Sequence, residues 1–297
     1  PGDSLSIFTV SFSYIGEGKG DYIRQSLGYY NFVGIGQGSY LPIIFLPLPQ
    51  LKQMGNVVVD VNPFENVTLS LEYAGSLWDK NRLSNIDDGD NYGYARNIFL
   101  KVAQTQILIG DLDLGKAGLT YRDRFIQDKF TSLDRFNEVE FDRNYNTASQ
   151  TKSEDESLRE IGVSLQPIQE LTINSTAGFL RQGSNFSSDR FNNLFRFSDS
   201  KTFNVEYNLD YVKSTNLTLK SNWLRHKANA FYTFWLLKPG IEFLAEDKQN
   251  NQAQKDSLLS GSLKYFEYSP YLELMEISGF RMFTKFGLRD DYLPNNG

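Results

Sequence analysis

Cysteine and histidine, two side-chain types that often catalyse reactions or bind transition metals, are absent or nearly absent from this chain. Cysteine is absent, and His226 is the only histidine. The missing cysteines exclude disulfides and thiolate metal sites, and a single histidine excludes multi-histidine metal sites. A Ser-His-Asp triad would depend on His226, for which the sequence indicates no partner. Carboxylates are abundant, but no spacing brings a pair together, so the sequence predicts a non-enzymatic protein without a cofactor.

One acidic stretch contains the residue types of a calcium site. Asp87, Asp88 and Asp90 lie in the run IDDGDN, residues 86–91. Carboxylate oxygens suit Ca²⁺, but the spacing of an EF-hand and its final glutamate are missing. Clustered aspartate, glycine and asparagine are also typical of tight turns. The sequence therefore favours a turn here and keeps calcium binding as the weaker alternative.

A glycine repeat near the start is a candidate phosphate loop. YIGEGKGDY at residues 14–22 is repeated as FVGIGQGSY at residues 32–40. A nucleotide-binding loop has the spacing G-x-G-x-x-G between a strand and a helix, whereas this spacing is G-x-G-x-G and no helical pattern follows. The glycines instead predict bends or close backbone contacts at strand ends. The net charge of −6 gives no basic field for nucleic acid.

Polar and apolar residues alternate along most of the chain. The pattern is clearest at residues 57–61 and 67–73, on either side of the turn NPFEN. Because side chains alternate between the two faces of a strand, this is a β-hairpin with one apolar face. Similar stretches recur to about residue 288, and no run approaches the ~20 apolar residues of a membrane helix. The pattern predicts an all-β, antiparallel up-and-down meander, forming a β-barrel of the outer-membrane type or part of a larger one.

The predicted connections differ in length at the two ends of the strands. Short turns are predicted at NPFEN, GDLDLG, QPIQ, KSTN, KPG and SP, and long polar loops at 75–96, 124–160, 181–200 and 246–257. Membrane barrels have this asymmetry, and the 14% aromatic content suits their interfacial girdles. A soluble β-protein with an aromatic core remains the alternative.

Residues 202–211 show the alternation most clearly. In a barrel, one row would face lipid and the other would face the lumen. The predicted lipid-facing residues are Phe203, Val205, Tyr207, Leu209 and Tyr211, and the predicted lumen-facing residues are Thr202, Asn204, Glu206, Asn208 and Asp210.

The chain is predicted to have two parts. Residues 1–50 contain the glycine repeat and end in the proline-rich connector LPIIFLPLPQ, and residues 51–297 contain the meander with its long polar loops. Proline lacks a backbone donor, so the connector is not a central strand. The chain starts at Pro1 without methionine and stops after a strand-like run, so we expect a segment of a longer protein.

Several motifs together resemble a family. They are GEGKGDY and GIGQGSY, LPLP at 46–49, NPFENVTLSLEYA, DDGDN at 87–91 and VEFDRNYN at 139–146. The chain resembles large outer-membrane β-barrel proteins of the Bacteroidota and Chlorobiota, and faintly the giant barrel translocon of the type 9 secretion system. The resemblance covers most of the first 150 residues and implies no catalytic residue. It implies a pore, translocon component or surface-protein anchor in the bacterial outer membrane, with lipid and other surface or secretion proteins as partners.

A second function is compatible with the same pattern. A secreted or cell-surface β-protein could bind glycan or protein through aromatic loops, for which Trp78, Tyr92 and Tyr94 are the candidates. This alternative needs no membrane, so a requirement for detergent distinguishes the two.

Overall fold

The computed structural model describes residues 10–44, 46, 48–86, 88–147, 154–199, 202–255 and 257–292. Two compact units share the chain. The first consists of Pro1–Leu51 and Lys80–Ile86, and the second of Lys52–Asp79 and Asp87–Gly297. The predicted boundary after residue 50 lies next to this division, but residues 80–86 were not expected to return to the first unit.

The first unit contains a four-stranded sheet built from the two glycine repeats. Its strands are β1 (Ser13–Tyr14), β2 (Tyr22–Ser26), β3 (Tyr29–Phe32) and β4 (Tyr40–Leu41), in the order β1-β4-β2-β3. The third glycines of the repeats, Gly20 and Gly38, pair through backbone hydrogen bonds of 3.0 and 2.7 Å. A Cβ atom on either would lie 2.4 Å from the opposite backbone. Close contact of two chains therefore explains why glycine is needed there.

The second unit is a single antiparallel sheet of 13 strands. The strands are β5 (Leu51–Phe64), β6 (Val67–Asp79), β7 (Tyr92–Ile109), β8 (Leu112–Ile126), β9 (Glu156–Ile168), β10 (Leu171–Gln182), β11 (Phe186–Ser198), β12 (Phe203–Thr215), β13 (Leu219–Tyr232), β14 (Leu237–Gln252), β15 (Leu263–Ile277), β16 (Phe280–Lys285) and β17 (Leu288–Asp291). They pair in sequence order from β5 to β16, and β17 pairs with β15. The predicted all-β meander is confirmed. The sheet is open, with edges at β5 and at β16 and β17.

Helical structure in the described residues is limited to a 3-10 turn at Asp88–Asp90 and the helix α1 (Phe141–Tyr145). No described helix has the length and apolar character needed to cross a membrane.

The connections alternate between the two ends of the strands. The short-turn end contains the connections at 65–66, 110–111, 169–170, 199–202, 233–236 and 278–279, and the long-loop end contains those at 80–91, 127–155, 183–185, 216–218 and 253–262. The predicted turn KSTN therefore lies at the wrong end, since β12 runs to Thr215. The predicted loop at 181–200 is also wrong, because most of it is β11.

Two predicted turns, KPG at 238–240 and SP at 269–270, lie inside strands β14 and β15. Gly240 pairs with Tyr271, and a Cβ atom on Gly240 would lie 2.2 Å from the Tyr271 ring. The glycine makes room for an aromatic ring on the neighbouring strand instead of allowing a turn. The turn itself lies at 233–236, where Trp235 has a φ of 53°.

Candidate functional site

The two faces of the large sheet have different chemistry. On β12, Asn204, Glu206, Asn208 and Asp210 alternate with Phe203, Val205, Tyr207, Leu209 and Tyr211. Directly paired residues of neighbouring strands lie on the same face, so the strand register shows which residues continue these two rows on the other strands. One row of paired residues runs Ala117, Leu165, Ile173, Phe195, Tyr207, Ala228, Phe243, Tyr268 and Leu288. We call the face of this row the apolar face and the opposite face the polar face.

The predicted lipid-facing residues all lie on the apolar face, and the predicted lumen-facing residues from Asn204 to Asp210 lie on the polar face. Thr202 is the exception, because it precedes β12 in the connection from β11. Its backbone nitrogen donates to Asp199 Oδ1 at 2.6 Å, and its hydroxyl donates to Asp199 Oδ2. The predicted strand position of Thr202 is therefore wrong, because β12 begins at Phe203 and Asp199 binds Thr202 just before it.

Residues 127–147, which we call the covering segment, lie on the polar face. Near β6 and β7, the backbone nitrogen of Thr131 donates to Ser76 Oγ at 2.9 Å. A Cβ atom on Gly93 would lie 2.2 Å from the backbone of Phe130. Gly93 therefore provides the space in which the covering segment reaches the sheet.

The middle of the covering segment is held by an apolar cluster. Phe141 and Tyr145 of α1 are buried together with Leu158, Leu180 and Phe186 of the polar face. These three strand residues stand among polar neighbours, so the cluster forms an apolar patch on the polar face near the long-loop end. The burial of whole aromatic and leucine side chains stabilises the segment by about 1.5–3 kcal/mol for each residue.

Tyr145 also makes a polar contact with the sheet. Its hydroxyl donates to Glu160 Oε1 at 2.6 Å, and Glu160 forms an ion pair with Arg122 at 3.2 Å. Burial raises the pKa of Tyr145, and the adjacent charge of Glu160 adds to this effect. The phenol therefore stays protonated at neutral pH and donates to the carboxylate. Gly178 lies beneath it, since a Cβ atom there would lie 2.2 Å from the Tyr145 hydroxyl.

A second charged group crosses the polar face from β11 to β13. Asp210 receives two hydrogen bonds from Arg190, at 3.1 and 2.8 Å, and lies 3.0 Å from Arg225. The side chains of Arg190, Asp210 and Arg225 are only 18%, 10% and 11% exposed. Because the three charges are removed from bulk water, each depends on its partners for compensation.

The end of the covering segment contacts β12 to β14. Arg143 pairs with Glu246 at 3.1 Å. Asn146 donates to Ser214 Oγ at 2.8 Å and accepts from Lys248 Nζ at 2.9 Å. These contacts tie the segment to strands distant from β8, where it starts.

Trp223 lies beneath these contacts. The charged groups of Arg225 and Lys248 lie 4.4 and 4.1 Å from its ring centre, and that of Arg143 lies 5.8 Å away. Its indole nitrogen donates to Glu246 at 3.2 Å. The face of a tryptophan ring attracts cations, so Trp223 offsets part of the repulsion among these three positive side chains.

A cavity of about 240 Å³ lies between the covering segment and the sheet. Arg122, Arg124 and Arg190 line it together with Glu72, Glu138 and Glu160. The balance of charges and the ion pairs of Arg122, Arg124 and Arg190 with strand carboxylates indicate a role in holding the segment.

The calcium prediction receives no geometric support. Asp87 lies outside the described residues, and Asp88 Oδ1 accepts a hydrogen bond from Asn91 at 3.1 Å as in a turn. Within the described part of the chain, no three histidine, aspartate or glutamate side chains are arranged to hold a metal ion.

The predicted loop-binding aromatics lie in strands. Trp78 belongs to β6, and Tyr92 and Tyr94 belong to β7. Tyr94 stacks on Tyr73 with ring centres 5.9 Å apart, and Lys52 lies over Trp78 at 5.5 Å. The loop prediction is wrong because the two strands extend further toward the long-loop end than their apolar alternation indicates.

The sequence predicts no partner for the single histidine, but the structure shows one. His226 lies on the apolar face of β13, and its Nδ1 atom is 2.7 Å from the hydroxyl of Tyr207. This hydrogen bond joins neighbouring strands and gives the Tyr207 hydroxyl and the Nδ1 atom of His226 a partner.

Comparison with known proteins adds no identification. The sequence matches no protein-family model and no curated protein.

The covering segment is the part of the candidate site that the sequence predicts only as a long loop. Its aromatic residues Phe130, Phe136, Phe141 and Tyr145, within a charged stretch, were the available signal for docking onto a surface.

Proposed function

We propose that the large sheet is part of the wall of an outer-membrane β-barrel, with no catalytic role. In this proposal the apolar face contacts lipid acyl chains and the polar face lines the lumen. The observation that carries it is the position of the layer that covers the sheet within the second unit. That layer, the covering segment, lies on the polar face, while the apolar face is left exposed.

The exposed fractions show this reversal for residues on the two faces. Ile161, Leu165, Phe203 and Tyr268 on the apolar face are 39–46% exposed. Asp210, Ser188 and Ser214 on the polar face are at most 7% exposed. A water-soluble sheet buries its apolar face against a second layer. Acyl chains take the place of that layer in a membrane, where the alternation is apolar outward and polar inward.

Strand length is compatible with this proposal. Strands β5 to β15 are 12 to 18 residues long. A tilted strand crosses the hydrocarbon core with about 9–11 residues, so each of these strands is long enough to cross and to extend beyond it.

The open edges indicate that the wall is part of a larger barrel. Hydrocarbon cannot satisfy unpaired backbone groups, so a lipid-exposed sheet edge is unfavourable. Strand β5 is exposed along almost its whole length, with Val57, Val59 and Val61 43–66% exposed. We infer that β5 and the β16 and β17 edge pair with further strands.

The covering segment narrows the choice among barrel functions. In the proposed barrel it would occupy the lumen, held there by the apolar cluster and by ion pairs. A permanently open pore would not need such a segment, so a gated pore or a translocon component that works with surface or secretion proteins fits better. The alternative of a secreted binding module would have to bind through strand residues and not through loops, because Trp78, Tyr92 and Tyr94 lie in β6 and β7.

Single cysteines on β12 test the proposal. Val205→Cys and Leu209→Cys place a fluorophore on the apolar face, and Asn208→Cys on the same strand is the matched control on the polar face. The chain has no other cysteine. In lipid vesicles, nitroxide-labelled acyl chains should quench the first two fluorophores and spare the third. If Val205→Cys and Leu209→Cys are not quenched, the apolar face meets protein and the proposal is wrong.

A further inference from the structure

The apolar face ends in a row of basic residues at the long-loop end. Arg96, Arg159, Arg181 and Lys213 lie on β7, β9, β10 and β12, on the same face as the apolar rows below them. We call these four residues the basic rim. Phe125 and Phe179 lie beside them in paired positions on the same face. Aromatic and basic side chains thus meet at one level of the sheet.

Carboxylates position the arginines of the basic rim. Asp123 lies 3.4 Å from Arg96 and 3.0 Å from Arg159, and Arg181 lies 2.7 Å from Asp189. Asp123 is only 12% exposed, whereas the side chains of Arg96 and Arg159 are 50% and 62% exposed. A shielded carboxylate therefore fixes two guanidinium groups that present their outer surface to the surroundings.

The charge in this region is positive although the chain as a whole is negative. The basic rim contributes four positive charges, and its partners Asp123 and Asp189 contribute two negative charges. On β14 and β15, the next row of the apolar face toward the short-turn end carries Asp247 and Lys264, which pair at 3.2 Å. The short-turn end has acidic residues in its connections, at Asp111, Glu170 and Asp199. The net positive charge of the basic rim therefore lies at the long-loop end, where Lys220 on the apolar face of β13 adds a further positive charge.

We infer that the basic rim binds the phosphate groups of anionic lipid headgroups in the leaflet at the long-loop end. This inference rests on the proposed membrane position of the sheet. Guanidinium groups match phosphate oxygens in geometry and charge, and basic residues at the membrane surface favour anionic lipids. The exposed apolar rows below the rim would take the acyl chains of the same lipid. Free phosphate shares the headgroup chemistry but lacks those chains, so the inference requires a lipid.

A fluorophore at Ser157→Cys reports on lipid at this position. Ser157 lies on the apolar face of β9, paired with Phe125 on one side and Arg181 on the other. The labelled protein is placed in vesicles that contain either nitroxide-labelled phosphatidylglycerol or nitroxide-labelled phosphatidylcholine with the same chains. The quenching of the fluorophore by the two lipids is then compared. We expect phosphatidylglycerol to quench the fluorophore at Ser157→Cys more strongly than phosphatidylcholine does. Added inorganic phosphate should not abolish this preference.

Two variants test whether the basic rim causes the preference for phosphatidylglycerol. Arg159→Gln with Arg181→Gln should reduce the preference for phosphatidylglycerol by about tenfold, since each basic residue near an anionic surface contributes a several-fold preference. Arg96 is kept as the partner of Asp123. Lys213→Gln breaks no ion pair among the described residues and should give a smaller reduction. Lys264→Gln is the matched control on the same face and should leave the preference unchanged.

The outcomes separate this inference from the proposed function. An unchanged preference in both Arg159→Gln/Arg181→Gln and Lys213→Gln would overturn the inference. Equal displacement of both lipids by inorganic phosphate would show an anion site without lipid specificity and would also overturn it. Failure of the proposed function looks different, because the fluorophores at Val205→Cys and Leu209→Cys would then be unquenched by either lipid.

Discussion

Asp210 shows how a residue on the polar face gains its role from the neighbouring strands. Its alternation with Leu209 and Tyr211 predicts the face on which it lies. Its partners Arg190 and Arg225 are 20 and 15 residues away, and only the register of β11, β12 and β13 brings them together. The sequence could therefore predict the orientation of Asp210 but not its ion pairs.

Replacing Asp210 should be more damaging than replacing Glu206 on the same face of the same strand. Asp210→Asn leaves Arg190 and Arg225 without their carboxylate in a shielded position, which we expect to cost about 3–5 kcal/mol of unfolding free energy. Glu206 pairs with Arg196 at 2.8 Å, but both side chains are about half exposed. Glu206→Gln should therefore cost about 0–1 kcal/mol.

Denaturant unfolding of both variants in lipid vesicles measures the difference. Equal losses would show that the shielded position of Asp210 has no energetic consequence. The isosteric substitutions keep side-chain volume nearly constant, so a difference reports on charge.

At the scale of elements, the sequence predicts strands best where one row is plainly apolar. The hairpin around NPFEN is correctly placed, although β5 and β6 extend beyond the predicted alternation. Strand β11 was missed because its serine, asparagine and arginine residues read as a loop. Its apolar row is Phe191, Phe195 and Phe197. A strand whose polar row is this rich in loop-type residues is recognised only once its neighbours are known.

The covering segment could not be placed from sequence because its contacts are distant in the chain. Arg143 and Glu246 are 103 residues apart, and Lys248 and Asn146 are 102 apart. Length and polarity predicted a long connection between β8 and β9. Its docking on the polar face depends on the apolar patch of Leu158 and Leu180, which alternation cannot reveal.

Fixing the covering segment to the sheet should keep the proposed lumen closed. Asn146 and Ser214 are hydrogen-bonded at 2.8 Å, so a short, reducible bifunctional thiol reagent can join Asn146→Cys to Ser214→Cys. In planar bilayers, we expect the unlinked double variant to show openings that disappear on linking and return on reduction. Each single-cysteine variant treated with the same reagent is the control. Equal conductance before and after linking would show that the segment does not obstruct the path.

At the scale of the whole sheet, alternation alone fits two architectures. A soluble sandwich and a membrane wall both contain strands with one apolar and one polar row. They differ in which row is covered, and that depends on where the long connection packs. The covering segment lies on the polar row, so the support for the proposed membrane wall comes from one loop and not from the strands. The order of the strands followed from sequence, because short connections join antiparallel neighbours.

If the sheet crosses a membrane, its two ends should be reached from opposite sides. Asp111 lies in the exposed β7–β8 connection at the short-turn end, and Thr218 lies in the exposed β12–β13 connection at the long-loop end. Long loops of outer-membrane barrels face the outside of the cell. In intact cells, a membrane-impermeant maleimide should label Thr218→Cys and should label Asp111→Cys only after the membrane is permeabilised.

The chain has no native cysteine, so each variant carries a single reactive thiol. Labelling of Asp111→Cys alone in intact cells would show the reverse orientation. Equal labelling of both residues before permeabilisation would place both ends on one side and contradict a spanning sheet. The two residues lie in tight connections of similar exposure, so a difference in labelling reports on the membrane barrier and not on local structure.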